Sequence, residues 1–147
     1  MSYWDFYYHV VWSTKNRESW LNAETREMVR LTIGAHSRET RSLVHAIGFM
    51  PNHIHLVVSI PPRWSVADWI GHVKGASSKR VNNHARANGL MEWFAWQPEY
   101  GAKTFDEHLL PTVMAYAENQ VKHHADHTLI EKYEIDERPF VKLIPPQ

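Results

Sequence analysis

The chain has no cysteine, so disulfides, thiolate metal sites and cysteine nucleophiles are all excluded. It has no net charge either, since 16 basic side chains cancel 16 acidic ones. That excludes the broadly basic surface of many nucleic-acid-binding proteins. No apolar window approaches the roughly 20 residues of a membrane-spanning helix. The opening Met1-Ser2-Tyr3-Trp4-Asp5 lacks a basic segment followed by an apolar run, so no signal peptide is expected. A cytoplasmic protein with no membrane partner is the expectation. With 147 residues, 44% of them hydrophobic, the chain can bury one core. One domain is expected over 1–147, with a core over about 3–100, a further helix over about 108–125 and a tail over 126–147.

What the chain does have is histidine, 11 in all, and two of them lie in the pentapeptide Asn52-His53-Ile54-His55-Leu56. In a strand, side chains at i and i+2 share a face, so His53 and His55 point together while Ile54, Leu56, Val58 and Ile60 point oppositely. Two imidazoles side by side can clasp one divalent metal. A lone histidine is more simply explained as a hydrogen-bonded core residue, but here the apolar residues occupy the other face. The pair alone names no chemistry, because His-x-His serves many kinds of metal site.

A third ligand and a nucleophile must come from elsewhere. Residues 110–124 predict an amphipathic helix with Pro111 in its first turn and an apolar stripe of Leu110, Val113, Met114, Ala117 and Val121. Tyr116 and Gln120, four residues apart, sit one turn above the other on the flank of that stripe. A phenol and an amide can therefore address the same small volume.

The remaining pattern predicts a strand over 7–13, a helix over 22–40 with Asn22 as its cap, and a hairpin of 43–49 with 53–60. A second helix starts at Ser65 and runs toward Ala85, and a fourth strand covers 94–97 or beyond. This order predicts an α+β fold, a ferredoxin-like (RRM-like) antiparallel sheet with helices on one face, plus an added C-terminal helix that carries Tyr116. The connection 100–108 reads as a linker long enough for that helix to dock on its own sheet or another subunit's.

Three blocks carry a resemblance: Gly48-Phe49-Met50-Pro51-Asn52-His53-Ile54-His55-Leu56, then Lys74-Gly75-Ala76-Ser77-Ser78-Lys79-Arg80-Val81-Asn82, then Trp96-Gln97-Pro98-Glu99-Tyr100-Gly101 with Tyr116-Ala117-Glu118-Asn119-Gln120. In this order they resemble the single-tyrosine HUH transposases of the IS200/IS605 type, including the relatives associated with repeated palindromes. The resemblance implies that His53 and His55 are metal ligands, Tyr116 the nucleophile and Gln120 the third ligand; His124, two turns beyond Tyr116 on nearly the same helix face, is the reserve ligand. It implies a DNA strand-transferase that makes a 5′-phosphotyrosine intermediate on single-stranded DNA, usually hairpin-bearing. Dimers with swapped tyrosine helices are typical of the family, so a homodimer is expected. Mixed nitrogen and oxygen ligation suits Mg or Mn.

A phenol with an ordinary pKa of about 10 needs activation at neutral pH, and a nearby cation is one route. Tyr100 is the rival nucleophile, but it lacks an amide or acid at helical spacing. Arg63, Lys74, Lys79, Arg80 and Arg86 cluster mid-chain, while Glu131, Glu134, Asp136 and Glu137 load the C-terminal end. Of these, Arg63, Lys74, Lys79 and Arg80 are candidates for phosphates, and Trp96 and Tyr100 for stacking on unpaired bases. The chain departs from the family pattern at Glu99, where a glycine is usual. Alternative functions are a non-catalytic hairpin-DNA binder on the same scaffold, a single-stranded RNA-binding module, and an unrelated metal hydrolase that would tolerate Tyr116→Phe.

Overall fold

The computed structural model describes residues 2–91 and 93–126. His127, Glu131, Tyr133, Glu134, Asp136 and Glu137 of the expected tail lie outside the described residues. Strand β1 (Tyr8–Ser13) leads through a turn to helix α1 (Ala23–Thr40); strands β2 (Leu43–Met50) and β3 (His53–Ser59) follow, then helix α2 (Val66–Ala87) and strand β4 (Gly101–Thr104). The sheet order is β2-β3-β1-β4 with every pairing antiparallel, the ferredoxin-like topology expected from the sequence.

Alternation in β1 and β3 sends Val10 and Trp12, with Ile54, Leu56 and Val58, into one core beneath α1 and α2. Val29 and Ile33 of α1 and Trp69, Ile70 and Val73 of α2 close it. Each such side chain stabilises the fold by about 1.5–3 kcal/mol on burial. Asn22 begins α1 by accepting from the Thr25 N–H at 2.9 Å, and Ser65 begins α2 by accepting from the Asp68 N–H at 3.0 Å. The Trp69 indole N–H then ties α2 to the end of α1 by donating to the Thr40 and Ser42 hydroxyls.

The fourth strand is not where the sequence pattern put it. Residues 94–97 run beside the end of β1 with one bridge, Thr14 to Trp96, while the ladder proper pairs Gly101–Thr104 with the first part of β1. Five steps along this edge answer three along β1, between the Thr14–Trp96 and Val11–Gly101 pairs. Pro98 falls in that excess and has no N–H to donate. Phe94 and Trp96 are strong strand formers, but here they fill the core, with the backbone N–H and C=O of Phe94 both held by the Asn82 amide.

The opposite face of the sheet receives helix α3 (Leu110–Glu118) and helix α4 (Gln120–Asp126). The expected single helix over 110–124 is thus interrupted at Asn119, whose φ of −99° and ψ of 27° bend the chain. Val113, Tyr116 and Ala117 pack on Ala46 and Val57 in a second, smaller core. Val121, expected on the apolar stripe, is 64% exposed, because the buried line runs through Tyr116 and Gln120 instead. The expected linker 100–108 shrinks as well. Four of its residues are β4, and only 105–109 connect β4 to α3.

Candidate active site

Direct ladder partners in an antiparallel sheet share a face. Ser13 stands opposite His53, Val11 and Gly48 opposite His55, and Val57 and Lys103 opposite His9. His9, His53 and His55 therefore project together beneath α3 and α4, and all three are buried. Their rings are held by their neighbours. His53 Nδ1 lies 2.7 Å from Asn52 Oδ1, and because an amide oxygen only accepts, this nitrogen carries the proton. His55 Nδ1 lies 2.9 Å from His9 Nε2. Burial, then the neighbouring His55 and Lys103, push the His9 pKa down to about 3, so it is neutral near pH 7. A neutral imidazole can accept from the Nδ1–H of His55 and fix its tautomer, as residues behind metal ligands commonly do.

His9 was missed by sequence reasoning. Its signal was its alternation with Val10 and Trp12, but only the register of β1 on β3 reveals which other histidine it meets.

Tyr116, 3% exposed, comes down from α3 with its ring steeply inclined to those of His55 and His9, at 5.9 and 6.4 Å between ring centroids. His123 stacks on it at 4.6 Å, and His124 lies 5.2 Å from His53. Gln120 Nε2 donates to the Tyr116 carbonyl at 3.0 Å. Its Oε1 is buried without a hydrogen-bond partner among the described residues. The helix can come this close because of Gly48: a Cβ there would lie 1.6 Å from the Ala117 carbonyl oxygen and 3.4 Å from Gln120 Cγ.

The fold thus brings together His53, His55, Tyr116 and Gln120. It does not bring the other candidates to them. Lys79 and Arg80 are exposed on α2, whose packing is on the other side of the sheet, and Arg63 is exposed beyond the far end of β3. Lys74 donates to the Gln97 and Glu99 carbonyls at 2.5 and 3.0 Å, and burial pushes its pKa down to about 8 despite nearby Glu99. Its ammonium secures the loop before β4. Trp96 needs correction as a stacking platform: it is 8% exposed, packs edge-on against Trp12 and Phe94, and donates to Ser77. Tyr100 is 37% exposed before β4. Among the described residues no three of His, Cys, Asp and Glu converge as a metal site. No described helix is long and apolar enough to cross a membrane.

A ferredoxin-like sheet that sets a His-x-His strand against a helix-borne tyrosine defines the class of single-tyrosine HUH transposases. The chain belongs to the IS200-like transposase family, whose sequence model, described as "Transposase IS200 like", matches residues 2–120. It is 27% identical over 115 residues to the ISDra2 transposase TnpA of Deinococcus radiodurans, covering 77% of this chain and 82% of that one. It is also 29% identical over 75 residues to the transposase for insertion sequence element IS200 of Salmonella typhimurium, covering 51% of this chain and 49% of that protein. A crystal structure of a candidate transposase from Deinococcus radiodurans R1 superposes with a TM-score of 0.63 at 26% identity, over 82% of this chain and 95% of that one. The fold is shared with a REP-associated tyrosine transposase bound to a REP hairpin, at a TM-score of 0.60, 20% identity, and coverage of 84% and 74%. Membership places the chain among transposases, enzymes that process DNA.

Proposed function

We propose that this protein is a metal-dependent transposase that cleaves and rejoins single-stranded DNA, in hairpin-bearing ends, through a 5′-phosphotyrosine made on Tyr116. The observation that carries this reading is the convergence of a buried tyrosine on the paired histidines of β3. Tyr116 Oη attacks the scissile phosphorus as the bond to the 3′-oxygen breaks. The phenol gives up its proton and the departing 3′-oxygen gains one. One phosphodiester is exchanged for another, so reversal rejoins strands without ATP.

His53, His55 and the amide oxygen of Gln120 fit a divalent cation. The buried, unpartnered Gln120 Oε1 has an unmet need that a hard cation satisfies. The Nδ1 contacts of both histidines leave Nε2 as the ligating atom of each. His124 is the reserve. Bound Mg or Mn would polarise the scissile phosphate, and three neutral ligands would leave its charge undiminished. Asn52 and His9 orient the ligands, and the α3 cover excludes water from them.

We also propose a homodimer in which the tyrosine helix sits on its own sheet or is exchanged through the 105–109 connection; light scattering giving a monomer would remove that part. The test of the chemistry is a denaturing gel with labelled hairpin oligonucleotides and Mg²⁺ or Mn²⁺. A covalent adduct that needs metal and disappears in Tyr116→Phe and in His53→Ala is expected. Binding of genuine flanking sequences with no adduct would instead mark a non-catalytic hairpin binder, and preference for ribo-oligonucleotides an RNA-binding module.

A further inference from the structure

Beyond helix and turn ends, backbone strain in the described residues is concentrated at one place. Asn16 and Arg17 are consecutive non-glycine residues in the left-handed region, with φ of 54° and 55°. Each such residue costs about 1–2 kcal/mol relative to right-handed backbone, somewhat less for asparagine. The other non-glycine case, Arg41 with φ 57°, has a structural explanation: it ends α1, letting the Ser42 N–H reach the Ser37 carbonyl. The Asn16–Arg17 pair lies instead in a single 3-10 turn, Lys15–Arg17, directly after β1, and Asn16 departs from helical geometry within it (φ 54°, ψ 21°).

The strained turn is held from several sides. Gln97 Oε1 accepts from the Asn16 N–H at 2.9 Å, the Arg17 N–H donates to the Thr14 carbonyl, and the buried Thr14 hydroxyl donates to the Glu18 carbonyl. What the turn accomplishes is to bring the Arg17 side chain back along β1: Nη1 donates to Ser13 Oγ at 3.2 Å. Ser13 is the ladder partner of His53 and shares its face. Directly opposed residues have Cβ atoms about 4.5–5.5 Å apart. The turn therefore sets a guanidinium at the His53 end of the site.

We propose that Arg17, positioned by this turn and by Ser13, binds a phosphate of the single-stranded DNA beside His53, at or next to the scissile position. The inference rests on the reading of the site as one that cleaves DNA. A guanidinium presents a planar fork that matches two phosphate oxygens, which an ammonium cannot do. It also supplies a fixed positive charge at the His53 end of the site, whereas Lys103, the ladder partner of His9, stands farther along the same face. Lys79 and Arg80 cannot substitute for it, being on the helix layer across the sheet.

The test compares wild type, Arg17→Ala and Arg17→Lys with hairpin oligonucleotides carrying a natural phosphate or a neutral methylphosphonate at single positions around the cleavage site. Single-turnover adduct formation is expected to slow by about 100-fold in Arg17→Ala, the loss typical of one fixed donor to a reacting phosphate or oxyanion, with partial recovery in Arg17→Lys. Binding, read in a Tyr116→Phe background so that cleavage plays no part, should show one methylphosphonate position that weakens wild-type binding and has no further effect in Arg17→Ala. The salt dependence of binding should fall by about one phosphate contact, a slope change of about 0.7 for a single strand.

Methylphosphonate effects identical in the arginine and alanine proteins would overturn the proposal. So would equal losses in Arg17→Ala and Arg17→Lys that track a fall in Tm, since that marks a purely structural arginine. If no protein forms an adduct, the transposase reading fails, while the binding comparison still decides the Arg17 contact.

Discussion

Gly48→Ala is the smallest substitution that tests how the tyrosine reaches the histidines. The added methyl would lie 1.6 Å from the Ala117 carbonyl oxygen and 2.6 Å from its carbon. Ordinary contact begins near about 3.5 Å, so α3 must retreat by about 2 Å. Both obstructing atoms are backbone, and no rotamer change relieves them. Ala117→Gly should not rescue the variant, because it leaves the same carbonyl in place. Retreat separates Val113, Tyr116 and Ala117 from Ala46 and Val57, and overpacking of this kind costs about 1–3 kcal/mol. The main core under α1 and α2 contains none of these residues, so the protein should still fold, with Tm lowered by several degrees. Catalysis should suffer more. A misplacement of about 1 Å can cost 100-fold in rate, and Tyr116 moves with the helix. Single-turnover adduct formation, with thermal melting measured on the same preparation, gives both numbers. The contact is required whether the helix belongs to the same chain or to a partner. A Gly48→Ala protein with the wild-type adduct rate and Tm would show that α3 does not sit against β2 in the working enzyme, and the site as described would fall with it.

Three further outcomes follow from the same structure. Asn82→Ala leaves the buried Phe94 N–H and C=O without the amide that pairs both, at 2.7 and 2.8 Å, and should destabilise by about 2–4 kcal/mol in denaturant melts; a loss below 0.5 kcal/mol would mean that water replaces the amide. His36 has its pKa lowered by burial and then by the stacked His72, against an upward pull from Glu39 and from the Trp69 backbone. Its contribution is therefore complete above its ordinary pKa of about 6.5 and is lost as pH falls below it, so His36→Gln should flatten the decline in stability on the acid side; an unchanged pH profile would refute this. Mn²⁺ should raise the Tm of wild type but not of Gln120→Met, which lacks the buried amide oxygen. Equal metal stabilisation of both would exclude Gln120 as a ligand.

How much of this could be read in advance depends on whether the governing interaction is local. The caps Asn22 and Ser65, the tight β2–β3 hairpin and the two faces of β3 are short-range features, and the structure has them where the pattern implied. The fourth strand is not local. Gly-Ala-Lys-Thr is weak strand sequence made into a strand by the free edge of β1, while aromatic 94–97 was drawn into the core by Asn82 and Ser77. Charge misled for the same reason: Lys74 reads as a phosphate ligand until the carbonyls of 97 and 99 are seen around it.

The site divides along the same line. Its histidine pair, tyrosine and amide are written in two short periodicities, i+2 on a strand and i+4 on a helix. The groups that would make those residues work, His9 behind His55, Gly48 beneath Ala117 and Arg17 at Ser13, depend on register between segments distant in sequence or on backbone strain. A pattern can therefore nominate ligands and nucleophile, but their orientation, approach and charge compensation belong to the packed sheet. Copies of this fold that keep the short motifs but carry a larger residue in place of Gly48 should bind DNA and form adduct slowly, since the nucleophile is then held away from the paired histidines.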